Sequence, residues 1–152
     1  MKMTTLAEKD KAGAFRRMAR WYFCAVAFYL SLGAVLGAMM MWFGNDNFQF
    51  LHSHALLAGA LLFAVYGAGN LWIAYLADNM STPGPSVSLA VAQFWLANIG
   101  LPGMLFWSVL PVGLGPGRTG ALFGFIEAVA AVMYGLIFRR ALKTMERARS
   151  RA

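Results

Sequence analysis

Charged residues are scarce in this chain. Only 12% of its 152 residues are Asp, Glu, Lys or Arg, and 60% are hydrophobic, whereas a soluble domain carries about 25% charged residues. Four apolar stretches each supply the roughly 20 residues that a helix needs to cross a bilayer, approximately at 21–43, 51–77, 87–114 and 119–138. These spans leave no room for a soluble domain, so the composition predicts an integral membrane protein.

Cysteine and histidine are almost absent as well. Cys24 is the single cysteine, which excludes an intrachain disulfide. His52 and His54 are the only histidines. A regular helix turns about 100° per residue, so these two side chains point roughly 200° apart and are not expected to chelate one ion together.

The cations that are present lie at the two ends of the chain. Of the 13 Lys and Arg residues, only Arg118 falls in a loop between spans; the others belong to a basic N-terminal segment, 1–20, and a basic tail, 139–152. By the positive-inside rule, both termini are then cytoplasmic. Such basic ends suit anionic lipid rather than nucleic acid. Short loops between the spans favour antiparallel neighbours.

We therefore expect an all-α, four-transmembrane-helix antiparallel bundle of the bacterial inner (cytoplasmic) membrane. Small residues four apart, such as Gly33 and Gly37, permit close helix approach within one bundle or between subunits of a homo-oligomer. Aromatic residues near the span ends fit an interfacial belt; they are Trp21, Tyr22, Trp42, Trp72, Tyr75 and Trp107.

Three polar residues lie deep in the spans, where hydrocarbon makes them costly. Asn70 and Gln93 fall at similar depths in adjacent spans, so a hydrogen bond between them is a plausible structural link. Glu127 must be neutral, paired or in contact with water, and is a candidate proton-linked residue. Pro102 frees the carbonyl of Asn98, which could bond Glu127 or a water.

The surroundings of the two histidines differ. His52 shares its helix face with Gly59, Tyr66 and Asn70, which makes it the more interior of the two. His54 shares its face with large apolar residues. Both could simply lie at the water boundary, whereas an interior imidazole beside a glycine is also compatible with an axial haem ligand.

The segment "HSHALLAGALLFAVYGAGN", 52–70, resembles the second helix of the catalytic subunits of haem-copper oxidases and nitric oxide reductases. The segment "AQFWLANIGLPGMLFW" is similar to the third helix of that superfamily at Phe94, Trp95 and Gly100. The likeness covers about residues 48–110. In the family, the first histidine of the second helix is an axial ligand of a low-spin haem, and that position is His52 here.

The resemblance implies haem b bound through His52, with Gly59 giving room for the ring and Arg118 as a partner for a propionate. His54 would then lie near a propionate or be offered to a neighbouring subunit. The second axial ligand would be a methionine, a partner subunit's histidine, or absent. Two histidines cannot supply the oxygen-reducing centre of the large subunits, so electron transfer or binding of a diatomic gas (NO or O₂) is expected, and enzymatic activity stays open.

Two other functions fit the same residues. Met39, Met40 and Met41 lie level with the histidines, and thioether and imidazole ligands suit Cu(I). Alternatively, the chain is an accessory subunit of a larger membrane complex, without a cofactor.

Overall fold

Four helices make up the part of the chain that the computed structural model describes, which is residues 6–44, 48–79, 84–108 and 116–150. Helix α1 is Leu6–Phe43, α2 is Gln49–Asn79, α3 is Val87–Ser108 and α4 is Pro116–Arg149. Side chains are described for 10–44, 48–79, 84–107 and 119–150. Residues 109–114, which were expected to complete the third span, lie outside these ranges.

All four helices are long and apolar enough to cross a membrane. The prediction of an all-helical, multi-pass membrane protein is therefore confirmed. Helical structure extends into both basic segments, 1–20 and 139–152. Helix α1 already begins at Leu6, and α4 continues to Arg149, because the sequence after Phe138 consists mainly of good helix formers and contains neither Gly nor Pro. Their assignment as separate basic segments stays a prediction.

The middle of α2 is not a regular α-helix. The helix is α-helical over Gln49–His54, π-helical over Ala55–Leu62 and α-helical again over Phe63–Asn79. Hydrogen bonds from residue i to i+5 widen this segment, and such segments often lie at functional sites. Here the π-helix begins directly after His54.

Two glycines of α1 allow α2 to pack closely against α1. Gly33 lies under the side chain of Leu56, and a Cβ at Gly37 would come within 2.9 Å of the His52 ring. Near the other ends of these helices, Arg16 of α1 forms an ion pair with Asp78 of α2. The glycine stripe predicted for α1 is thus a contact surface inside the chain.

Helices α3 and α4 approach still more closely. A Cβ at Gly100 would lie 2.8 Å from the backbone nitrogen of Glu127, and the space over Gly103 is filled by the Phe123 ring. Small residues allow such an approach between helix backbones in lipid. Gly100 therefore brings the backbone of Glu127 against α3.

The bundle has an apolar exterior and polar groups in its interior. Large apolar side chains such as Trp21, Phe28 and Phe125 are exposed, whereas Asn70 and Gln93 are only 2% and 1% exposed. Hydrocarbon around the helices accounts for this arrangement, because it solvates apolar side chains and cannot hydrogen-bond polar ones.

The contact at Gly100 gives a stability prediction. In Gly100→Ala, the added methyl group meets backbone atoms that cannot rotate away, so we expect a loss of about 1–3 kcal/mol of stability. Gly135→Ala is the matched control, because open space surrounds its Cβ position. Denaturation of both variants in detergent measures the difference; equal stabilities would contradict the close approach.

Candidate functional site

His52 links α2 to α1. Its Nδ1 lies 2.8 Å from the carbonyl oxygen of Gly33, and the ring is half-buried between the two helices. A carbonyl oxygen only accepts hydrogen bonds, so Nδ1 carries the proton and donates it. In the neutral imidazole, the lone pair is then on Nε2.

This hydrogen bond is the kind that metal-binding histidines make. Such residues donate one ring N–H to a carbonyl or carboxylate, which fixes the tautomer and the direction of the ligating nitrogen. Nε2 of His52 therefore carries the lone pair that a metal ligand needs.

His54 is held within its own helix. Its Nδ1 lies 2.9 Å from the carbonyl oxygen of Phe50, four residues earlier, and its ring stacks on the Phe50 ring with centroids 3.9 Å apart. His54 thus has the same tautomer as His52 but connects no other helix. On the face shared with His54, Leu61 and Val65 are exposed.

The face expected to be interior is the buried one. Gly59, Phe63, Tyr66 and Asn70 are all buried on α2. However, the ring of Tyr29 from α1 occupies the space over Gly59. The expectation that Gly59 leaves room for a haem does not fit this packing, because an aromatic side chain of the same chain already fills that room.

The remaining sequence candidates are the three methionines at the end of α1 and Arg118. Met41 is 87% exposed, Met39 is exposed and Met40 is half-buried. The backbone of Arg118 lies in the first turn of α4, and its side chain is outside the described residues. Among the described residues, no group of three or more His, Cys, Asp and Glu side chains could hold a metal ion.

A second set of polar groups lies in the interior of the bundle. The hydroxyl of Tyr22 donates to Oε1 of Gln93 at 2.8 Å, across α1 and α3. The expected bond between Asn70 and Gln93 is not formed; Asn70 instead donates to the carbonyl of Tyr66, 2.8 Å away in its own helix. A carbonyl one turn back is always within reach of a helical Asn, whereas Gln93 faces the Tyr22 hydroxyl.

Tyrosines surround this interior. Tyr22 and Tyr66 are fully buried, with ring centroids 5.4 Å apart. Tyr134 of α4 packs 4.5 Å from the Tyr66 ring and donates to the carbonyl of Val65 at 3.1 Å. We name Tyr22, Tyr66, Asn70, Gln93, Glu127 and Tyr134 the polar core.

Glu127 is the only buried carboxylic acid among the described side chains, at 8% exposure. Neither of its carboxyl oxygens has a hydrogen-bond partner in the described part of the chain. The bond to the carbonyl of Asn98 that Pro102 was expected to make available is therefore not formed.

Sequence reasoning placed Tyr66 on the interior face of α2 but missed Tyr22 and Tyr134 of the polar core. Tyr22 was expected in the interfacial belt, because its position suits either the interface or the interior. Tyr66 could be recognised because it is one turn before Asn70 on the same face. Tyr22 could not be found this way, since its partner Gln93 is 71 residues away.

The Tyr22–Gln93 bond gives the second prediction. Tyr22→Phe leaves a buried carboxamide oxygen unpaired, which costs about 1–3 kcal/mol. In a cycle with Gln93→Leu, we expect a coupling energy of about 0.6–1.7 kcal/mol, as measured for hydrogen bonds between membrane helices. Tyr75→Phe, at an exposed position, is the control, and additive effects in the double variant would contradict the bond.

No protein-family model, curated protein or solved structure matches this chain. Its function must therefore be inferred from the chemistry of His52 and of the polar core.

Proposed function

We propose that this chain is a haem b-binding membrane protein, related to the first subunit of haem-copper oxidases, in which Nε2 of His52 is the axial ligand. The hydrogen bond from Nδ1 of His52 to Gly33 carries the proposal, because it leaves the ligating nitrogen unprotonated and fixes its direction. Bound haem would supply a one-electron redox centre or an open position for NO or O₂.

The packing around Gly59 limits where such a group could be held. Tyr29 fills the space over Gly59, so a haem bound to His52 would need another surface of the chain. A second copy of the chain could provide that surface and the other axial ligand.

The helix contacts and the charges support a definite orientation. His52, near the start of α2, contacts Gly33 and Gly37 late in α1, and Asp78 at the end of α2 pairs with Arg16 early in α1. We propose an antiparallel bundle in a bacterial inner membrane, with both basic termini in the cytoplasm.

Absorption spectroscopy of the detergent-purified protein tests the haem proposal. We expect a Soret band, with reduced α and β bands if two axial ligands are present. His52→Ala should remove or strongly alter the spectrum. His54→Ala should leave it nearly unchanged, because that imidazole is bonded only within its own helix.

The other outcomes are equally informative. A broad spectrum that shifts with CO or NO would indicate a five-coordinate, gas-binding haem. Loss of the spectrum in His54→Ala alone would contradict the assignment of His52. Absence of any band in protein produced with ample haem would overturn the proposal; stoichiometric copper in a metal analysis would then favour Cu(I) handling, and no metal an accessory subunit.

Reporter fusions test the orientation. Alkaline phosphatase fused after Ala152 should be inactive, whereas a green fluorescent protein there should fluoresce. Phosphatase fused after Gly44, between the first two helices, should be active, because this loop is expected outside. The reverse pattern would contradict the proposed topology.

A further inference from the structure

Glu127 has an unusual environment for a carboxylic acid. It lies in the span that begins at Thr119, and its exposed fraction is 8%. Both of its carboxyl oxygens lack a hydrogen-bond partner among the described residues. A carboxylate in this position would have no hydrogen-bond donor and no counter-ion among the described residues, so the neutral acid is the favoured form in hydrocarbon.

The groups that face Glu127 are neutral. Tyr22 and Tyr29 of α1 and Tyr66 of α2 lie within electrostatic range of its carboxyl group. Helix α3 presents Gly100, which has no side chain to ionise. Arg16 of α1 is paired with Asp78, and no ion pair joins Glu127 to a cation among the described residues.

Further buried polar atoms without hydrogen-bond partners lie in the interior of the bundle. The Tyr66 hydroxyl, Oδ1 of Asn70 and Nε2 of Gln93 are buried without hydrogen-bond partners in the described part of the chain. Gln93 is seven residues from Gly100 along α3, which corresponds to about 10 Å. Donors and acceptors are both present in this set, as a chain of hydrogen bonds through bound water requires.

We infer that Glu127 is a reversible proton-binding site in the bundle interior, and that the unpartnered groups of Tyr66, Asn70 and Gln93 form part of the route by which protons reach it. The proton leaves the Glu127 O–H bond for a water oxygen and returns by the same route. This function is independent of haem binding, because His52 contributes nothing to it.

Infrared spectroscopy of the full-length protein in liposomes tests the proton site. A band from a protonated carboxyl group should be present in the wild type and in Glu146→Gln, a control at an exposed acid, and absent in Glu127→Gln. The band should disappear reversibly as the pH is raised, because the ionised form lacks the C=O stretch of the acid. A band of constant intensity at every pH at which the protein stays folded would mean a permanently neutral, structural acid, and no band would mean a permanently ionised one; either result overturns the inference.

Transfer into D₂O tests the connection to water. The carboxyl band should shift as the proton is replaced by deuterium, and Tyr66→Phe should slow this shift. Tyr75→Phe, which changes an exposed tyrosine of the same helix, should exchange like the wild type. If Tyr66→Phe also exchanges at the wild-type rate, the proposed route through Tyr66 is wrong.

Discussion

The hydrocarbon around the four helices offers no hydrogen bond, and this constraint governs where each polar side chain of the spans can lie. Tyr22 and Gln93 bond to each other across two helices, which pairs the Tyr22 hydroxyl with Oε1 of Gln93, and Asn70 donates to a carbonyl of its own helix. The exterior is left to aromatic and aliphatic side chains. The polar core therefore lies inside the bundle, because the surrounding hydrocarbon cannot form hydrogen bonds with it.

Glycines determine how closely the helices enclose this core. Gly100 lets the backbone of Glu127 reach α3, and Gly33 and Gly37 let α2 lie directly on α1. The Gly100 contact is with backbone atoms of Glu127, whereas Gly33 and Gly37 contact the side chains of Leu56 and His52. The same close packing places the Tyr29 ring over Gly59.

The two histidines show how tertiary context separates chemically equal residues. Each donates from Nδ1 to a carbonyl oxygen, but His54 uses its own helix, whereas His52 uses Gly33 of the neighbouring helix. Only the second arrangement ties the imidazole to the relative position of two helices. The π-helical segment begins directly after His54. Phe63 and Tyr66, which follow it, lie in the interior beside Tyr22.

The sequence by itself determined the membrane class, the number of spans and the buried face of α2, because these follow from hydropathy and from a helical period. It also singled out Asn70, Gln93 and Glu127, since polar residues in hydrocarbon are costly wherever they lie. Only the tertiary structure decided their partners: Gln93 bonds Tyr22 rather than Asn70, Tyr29 covers Gly59, and Glu127 has no partner among the described side chains. These outcomes depend on the rotation and separation of helices, which glycine contacts set between residues far apart in the chain.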